Sequence, residues 1–227
     1  MLDSGELRGA LRLYLCTDRV LALGRPIAEA VEAAVAGGVT MVQLREKEAS
    51  TGEFYRIALE IKALTGRLHV PLVINDRLDI ALAVEAEGLH MGRSDLPLPA
   101  ARRLAGGKMF IGVSASTVEE ALLAQAQGAD YLGVGAVYPT GSKADAGAAI
   151  GLRGLAEICA AVKIPVVGIG GVNRGNAAEV MKTGAAGIAV ISGILSQPDT
   201  GEAARDLRTV LDAFADSSGG RGVGEAE

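Results

Sequence analysis

Short apolar segments alternate with longer amphipathic segments along most of the chain. Eight segments are rich in Val, Ile and Leu, and stretches rich in Ala, Leu and Glu lie between them. Apolar runs of this length, bounded by turn residues, are typical of buried strands, and the stretches between them have the composition of helices. The predicted strands cover residues 12–17, 40–45, 71–75, 88–92, 109–114, 131–137, 165–170 and 187–192.

Three of the intervening stretches carry clear helix signals. They cover residues 26–38, 51–65 and 176–185. Pro26 stands where the first turn of a helix tolerates proline, and Gly37, Gly38 and Gly184 stand where helices end. The chain therefore alternates strand and helix throughout.

Eight strands alternating with helices predict an α/β protein. Two architectures fit, an open doubly wound sheet and a single (β/α)8 TIM barrel. The count of eight and the regular spacing favour the barrel, and no G-x-G-x-x-G follows the first strand to support a dinucleotide-binding half. We expect one catalytic domain over residues 1–215 and a disordered Gly/Ser-rich tail over residues 216–227.

Composition narrows the function classes. The 227 residues are 49% hydrophobic but only 3% aromatic, and the net charge is −5. Without a basic stripe or aromatic stacking surface we expect no nucleic-acid partner, and without a long apolar stretch we expect no membrane span. Cys16 and Cys159 lack the spacing of metal ligands. We expect a cytoplasmic protein that binds small molecules, and the oligomeric state, a homo-oligomer included, stays open.

The segment VTMVQLREK, residues 39–47, begins as a strand and ends in charge. The side-chain period of two puts Gln43, Arg45 and Lys47 on one face, opposite the apolar residues. In a barrel, that face points into the mouth at the carboxyl ends of the strands, where active sites lie. Unpaired inward charge is costly, so an anion or nearby carboxylates must offset it.

Other strand ends supply such groups. Asp76 and Asp95 follow the third and fourth strands, and Lys143 follows the sixth. Paired carboxylates facing several cations are typical of a magnesium-bound pyrophosphate, with Arg45 binding oxygens in bidentate fashion. Two alternatives stay open: each aspartate at a helix start, or an ion-pair network with no ligand.

The seventh and eighth strand ends predict a second anion site. Gly170 and Gly171 stand at the end of the seventh strand and Ser192 stands at the end of the eighth. Barrels often bind phosphate at these loops, where glycine lets backbone N–H groups approach an anion. The alternative is that the glycines only make tight turns.

Several of these pieces together resemble one family. The pieces are LYLCTD (13–18), VQLREK (42–47), INDR (74–77), GLHMGRSD (88–95), IGVSAST (111–117), GAVYPTGSK (135–143), VGIGGV (167–172) and GIAVISGI (187–194). In this order and spacing the sequence resembles the thiamine phosphate synthase family over roughly residues 12–197. The resemblance implies a (β/α)8 barrel that joins hydroxymethylpyrimidine pyrophosphate to thiazole phosphate with Mg²⁺. It further implies that the C–O bond to pyrophosphate breaks before the thiazole nitrogen attacks.

The resemblance also implies roles for individual positions. The matching residues are Arg45, Lys47, Asn75 and Lys143 for the pyrophosphate; Asp76 and Asp95 for Mg²⁺; Gln43 and Ser114 around the pyrimidine; and Thr140, Ser142, Gly171, Ile191 and Ser192 for the thiazole phosphate. Of these, Arg45, Lys47 and Lys143 are the expected catalytic groups, because neutralising the leaving group is the catalytic task.

Two departures from the family pattern bear on function. A Thr-x-Thr-Lys piece is here Thr140-Gly141-Ser142-Lys143, which keeps the hydroxyl. Where many members carry a Thr/Cys-His pair, this chain has Ala115-Ser116. A thiazole tautomerase-like paralogue would use that histidine, so the synthase is favoured. A non-catalytic barrel that binds thiazole phosphate is the other alternative. We expect His69 at the surface and His90 packed, neither of them catalytic.

Overall fold

A computed structural model describes residues 2–142 and 148–219. Eight parallel strands close into a barrel in sequence order, with the last strand paired to the first. This confirms the predicted (β/α)8 TIM barrel. The strands are β1 Leu13–Cys16, β2 Met41–Leu44, β3 Leu72–Asn75, β4 Gly88–Met91, β5 Phe110–Ala115, β6 Tyr131–Val134, β7 Val166–Ile169 and β8 Gly187–Val190.

Helices surround the barrel, at least one between each pair of consecutive strands. They are α1 Ser4–Ala10, α2 Ile27–Ala36, α3 Thr51–Arg67, α4 Leu78–Ala83, α5 Leu98–Ala105, α6 Val118–Ala126, α7 Gly151–Ala161, α8 Ala177–Met181, α9 Ser192–Leu195 and α10 Thr200–Gly219. In the part of the chain that the structure describes, no helix is both long and apolar enough to cross a membrane.

Side-chain hydrogen bonds to backbone N–H groups cap the starts of three helices. The side chains of Ser50 and Thr117 accept backbone N–H groups at the starts of α3 and α6. The short helix α1, which the hydrophobic pattern did not predict, begins with a capping box: Asp3 accepts the backbone N–H of Glu6, whose side chain accepts that of Asp3. Such reciprocal bonds satisfy N–H groups that a helix start otherwise leaves unpaired.

The last helix, α10, packs on the outside of the barrel against α2, α8 and α9. Arg12, just before β1, donates to the backbone oxygen of Leu211 at 2.6 Å and pairs with Asp212 at 3.2 Å. The helix continues to Gly219, so residues 216–219 of the predicted tail are helical. Residues 220–227 lie outside the described residues.

Two glycines make room for aromatic side chains inside the barrel. A Cβ atom at Gly112 would lie 2.0 Å from Cζ of Tyr131, and one at Gly88 would lie 2.3 Å from Cε2 of Phe110. Neither distance is possible in a packed protein. Gly88 of β4 and Gly112 of β5 are therefore glycine because rings from the neighbouring strands fill the space.

Several strands end earlier than the apolar pattern predicted. Strand β2 ends at Leu44, so Arg45 and Lys47 belong to the loop after it, and β6 ends at Val134 rather than at residue 137. The prediction that Gln43 points into the barrel is confirmed, because its side chain bonds to Tyr14 of β1 in the interior. The additional residues at each strand end form the loops of the barrel mouth.

Candidate active site

One cavity of about 600 Å³ opens at the carboxyl ends of β2 to β8. It brings together eleven of the residues singled out from the sequence. These are Arg45, Lys47, Asn75, Asp76, Asp95, Ser114, Thr140, Ser142, Gly171, Ile191 and Ser192. Gln43 lies beneath this cavity, and Lys143 falls outside the described residues.

Asp76 and Asp95 meet at one side of the cavity. Their carboxyl groups lie close enough to shift each other's pKa, Lys47 Nζ donates to Asp76 Oδ2 at 2.5 Å, and the Gly92 N–H donates to Asp95 Oδ2 at 2.7 Å. Burial raises the pKa of Asp95, and the hydrogen bond with Asp76 raises it further, to about 6. Burial also acts to raise the pKa of Asp76, but the bonds from Lys47 and Asp95 outweigh it and lower that pKa overall. The pair therefore holds a proton more readily than separate carboxylates do.

Neither aspartate serves as a helix cap. The residue before α4 is Arg77 and the residue before α5 is Pro97, and in the described chain no side chain makes a capping bond at either helix. Asp76 has φ of 62°, the left-handed region that non-glycine residues seldom adopt. This backbone turns the carboxylate into the cavity rather than towards the helix start. The helix-start alternative is thus not supported by a capping bond at either residue.

Arg45 is held by a carboxylate that the sequence analysis did not single out. Its guanidinium donates to Asp18 Oδ2 at 2.9 Å, and the pair is largely buried. The other carboxylate oxygen of Asp18 accepts the backbone N–H groups of Val20 and Leu21, both at 3.1 Å. Asp18 follows the end of β1, the position at which the other strands carry their site residues, and that placement could have revealed it.

We call Arg45, Lys47, Asp76 and Asp95 the charged half of the cavity. Both cations already face carboxylates, so the ion-pair alternative describes the ligand-free arrangement correctly. It does not account for the close contact between Asp76 and Asp95, which brings like charges together. Two carboxylates that offer only oxygen donors suit a hard divalent cation such as Mg²⁺, which would offset their like charges and take its other ligands from water or phosphate. Among the described residues no group of three or more His, Cys, Asp or Glu could hold a metal by itself.

The opposite side of the cavity, built from the ends of β6 to β8, is the neutral half. It contains Thr140, Ser142, Gly171, Ile191 and Ser192, and its described lining carries no charged side chain.

Close packing fixes the loop of this half. Gly171 has φ of 66°, and a Cβ atom there would lie 2.7 Å from Cβ of Tyr138. Asn173 and Asn176 donate side-chain N–H groups to the Gly171 oxygen at 3.3 and 3.0 Å. The hydroxyl oxygens of Ser142 and Ser192 lie 3.3 Å apart. The half offers hydroxyls and backbone groups, which suit a phosphate but supply little charge.

A chain of hydrogen-bonded side chains, the floor chain, runs beneath the cavity. Gln43 Nε2 lies 2.7 Å from the Tyr14 hydroxyl, which lies 2.9 Å from that of Tyr131. The Tyr131 hydroxyl lies 3.0 Å from His90 Nδ1, and His90 Nε2 lies 3.0 Å from Ser114 Oγ. Ser114 and His90 reach the cavity, whereas the other three are buried below it.

The two histidines behave as expected from the sequence: His69 is exposed, and His90 is packed and hydrogen-bonded. The contact of His90 with the cavity was not foreseen. Nor were Tyr14 and Tyr131, although tyrosines in two buried strands of a chain with 3% aromatic residues were a usable signal.

Comparison with known proteins agrees with this geometry. A family model described as thiamine monophosphate synthase matches residues 13–194. Thiamine-phosphate synthase of Moorella thermoacetica is 53% identical over 199 residues, which cover 88% of this chain and 95% of the relative. The enzyme of the same name from Chloroflexus aurantiacus is 52% identical over 200 residues, covering 88% and 92%.

A solved structure extends the match to three dimensions. Thiamine phosphate pyrophosphorylase from Pyrococcus furiosus superposes with a TM-score of 0.86 at 44% identity, covering 92% of this chain and 98% of that one. The chain belongs to the thiamine monophosphate synthase family, whose named members are transferase enzymes.

Proposed function

We propose that the protein is a thiamine phosphate synthase that joins hydroxymethylpyrimidine pyrophosphate to thiazole phosphate and releases pyrophosphate. The observation that carries the proposal is the division of one cavity into a charged half and a neutral half. A pyrophosphate needs several cations, whereas a single phosphate can be bound by hydroxyl and backbone groups. Family membership supports the same reaction.

In this proposal the charged half binds the pyrophosphate. Arg45 and Lys47 donate to its oxygens, and Asn75 adds an amide at the end of β3. Lys143 is expected from the sequence to join them. The ion pair with Asp18 holds the Arg45 side chain at the cavity wall, so less side-chain freedom is lost when substrate binds.

Asp76 and Asp95 are the residues that would hold Mg²⁺. When bound, the ion would neutralise negative charge on the pyrophosphate. The donor set fits this task, because two adjacent carboxylates supply oxygen ligands, and a divalent cation would offset the repulsion between them that helps to raise the pKa of Asp95 to about 6. Lys47, hydrogen-bonded to Asp76, lies where it can contact both the carboxylate and a phosphate oxygen.

The reaction needs charge stabilisation rather than proton transfer. The C–O bond breaks and its electron pair leaves with the pyrophosphate. The exocyclic carbon of the pyrimidine then accepts the lone pair of the thiazole nitrogen, which gains the positive charge. No proton moves in either step, so a cavity whose cations face the leaving group is sufficient.

The neutral half binds the thiazole phosphate in this proposal. The hydroxyls of Thr140, Ser142 and Ser192 and the backbone at Gly171 and Ile191 surround that end of the cavity. The fixed loop at Gly171 is organised before the ligand arrives, which lowers the entropic cost of binding.

The tautomerase alternative has no proton-transfer group at its expected position. Ser116 stands there, and its hydroxyl and N–H both donate to Glu120, at 2.9 and 2.7 Å. This arrangement favours the synthase.

One reaction tests the proposal. Purified protein is mixed with hydroxymethylpyrimidine pyrophosphate, thiazole phosphate and Mg²⁺, and thiamine phosphate is followed with and without EDTA. We expect product that depends on the metal. Binding of thiazole phosphate without product would overturn the synthase and favour the non-catalytic barrel.

A further inference from the structure

The floor chain contains more hydroxyl groups than a packed core requires. Tyr14 and Tyr131 are 1% and 0% exposed, and their hydroxyls bond across the barrel between β1 and β6. A phenylalanine pair would fill the same space without polar atoms to satisfy. The two hydroxyls therefore serve to link Gln43, at one end of the floor chain, to Ser114 at the other end.

The barrel is shaped around this chain. A Cβ atom at Gly112 would lie 2.5 Å from the Tyr131 hydroxyl, and one at Gly133 would lie 2.9 Å from Cε1 of His90. Neighbouring positions on β5 and β6 thus leave space for the two rings. Such clearance indicates a fixed arrangement of the ring nitrogens and hydroxyls rather than loose packing.

The available protons determine the donor-to-acceptor direction of the hydrogen bonds along the floor chain. Burial raises the pKa of Tyr14 and that of Tyr131 far above the ordinary value of a phenol, so each hydroxyl keeps one proton to donate. Gln43 Nε2 can only donate, so the Tyr14 oxygen accepts from it. The arrangement that uses every donor then runs from Tyr14 to Tyr131 and from Tyr131 to His90 Nδ1.

This direction determines which nitrogen of His90 carries the proton at the cavity end of the floor chain. With Nδ1 accepting, His90 carries its proton on Nε2 and donates it to Ser114 Oγ, 3.0 Å away. The Ser114 hydroxyl then has its own proton left for the cavity.

We propose that Tyr14, Tyr131 and His90 are positioning residues that make Ser114 a hydrogen-bond donor to an acceptor atom of the bound ligand. A pyrimidine ring nitrogen is such an acceptor, and this identification of the ligand rests on the proposed function. The assignment of protons along the floor chain does not, because it concerns the free protein.

The experiment is ¹⁵N NMR of histidine-labelled protein without substrate. The chain has two histidines, so only two residues contribute signals. The variant His69→Asn identifies the signals of His69, which is exposed and has φ of 55°, a conformation that asparagine tolerates. We expect the remaining histidine to show a proton on Nε2 and none on Nδ1 at neutral pH. A proton on Nδ1, or on both nitrogens, would overturn the proposal without any variant.

Two tyrosine variants separate proton direction from packing. Tyr131→Phe removes the donor to Nδ1, so the two nitrogen signals of His90 should move towards each other as both tautomers become populated. Tyr14→Phe removes a hydroxyl from the same buried pair but leaves Tyr131 to donate, so the signals should stay apart. Unchanged signals in Tyr131→Phe, or equal convergence in both variants, would overturn the proposal.

Kinetics give an independent measurement if the protein is the proposed synthase. Tyr131→Phe should raise KM for the pyrimidine substrate by about tenfold, the effect of one hydrogen bond, and leave KM for thiazole phosphate unchanged. An equal rise in both KM values would contradict the positioning role. Inactive wild-type protein would contradict the proposed function, and the NMR result would still decide the floor chain.

Discussion

The charged and neutral halves of the cavity are prepared for ligands in different ways. In the charged half, side chains hold one another: Arg45 faces Asp18, Lys47 faces Asp76, and Asp76 contacts Asp95. In the neutral half, the backbone is held instead, with two asparagine side chains bonded to the Gly171 oxygen. In the proposed function, the charged half exchanges partners when a ligand binds, whereas the neutral half only has to receive its ligand.

This difference indicates how each half of the cavity would contribute to the free energy of ligand binding. Preformed ion pairs keep cations extended and limit the cost of burying them, but a ligand must compete with the carboxylate partner. Hydroxyls and a fixed loop have no such competitor and bind more weakly. Substitutions in the charged half should therefore affect turnover most, and those in the neutral half should affect affinity for one substrate.

The largest effect is expected from Asp76→Asn. Asparagine tolerates the left-handed backbone at this position, so the fold should be kept while one carboxylate charge is lost. We expect kcat/KM to fall by about 100- to 1,000-fold, typical of removing one stabilising group from a transition state. Steady-state kinetics measure this. Asp79→Asn, which changes an exposed carboxylate of α4 paired with Arg77, is the matched control and should retain activity. Similar kcat/KM in both variants would show that the charged half is not the metal site.

A smaller effect is expected from Asp18→Asn. The amide oxygen can still accept the N–H groups of Val20 and Leu21, but the ion pair with Arg45 is lost. We expect KM for the pyrophosphate substrate to rise about tenfold, because a mobile Arg45 loses more freedom on binding. Glu53→Gln removes a partner of the exposed Arg19 and should leave KM unchanged. If Asp18→Asn lowers KM instead, Asp18 competes with the ligand rather than positioning its arginine.

Ser192→Ala tests the neutral half. Losing one hydroxyl should raise KM for thiazole phosphate by about three- to tenfold, since a neutral hydrogen bond contributes about 1 kcal/mol. KM for the pyrimidine substrate should not change. Ser196→Ala, at the end of α9 where the hydroxyl bonds the Leu21 oxygen, is the control. A loss shared by both substrates would remove the distinction between the halves.

The smallest expected effect is on the thermal stability of the protein in the absence of a metal ion. Because the folded-state pKa of Asp95 is raised to about 6, its protonated form stabilises the fold below the ordinary carboxyl pKa, and that contribution is lost as the pH rises through about 6. Asp95→Asn should thus raise Tm at pH 8 in EDTA by roughly 1–3 °C. At pH 4.5 the difference should shrink, which thermal unfolding at both values checks. A larger gain at the lower pH would contradict the raised pKa of Asp95.

The barrel was predictable because its signal is repeated and local. Each strand shows its own apolar run, and the alternation with helices restricts the architecture to very few choices. The side-chain period of two correctly predicted that Gln43 points into the barrel. Helix α1 was missed because seven residues give too short a periodic pattern, although its capping box from Asp3 to Glu6 is visible in the sequence.

The contacts within the site were less predictable because they join distant strands. Asp18 and Arg45 are 27 residues apart and meet through the pairing of β1 and β2, which sequence spacing alone does not specify. The left-handed backbone at Asp76 also has no local signal, since glycine or asparagine would have been expected there. The site residues could be located from their positions at the predicted strand ends. The residues that they contact could be identified only from the closed barrel.

The hydrogen bond between Tyr14 and Tyr131 also gives the protein an internal optical probe. The chain has four tyrosines and no tryptophan, so tyrosine dominates its near-ultraviolet absorption. Two of the four are buried inside the barrel, 117 residues apart in sequence, and their hydroxyls meet only after β1 and β6 are both in place. Contacts of such long range impose a high loop-closure cost during folding. Near-ultraviolet circular dichroism during refolding should therefore follow barrel closure in the unlabelled protein, separately from helix formation.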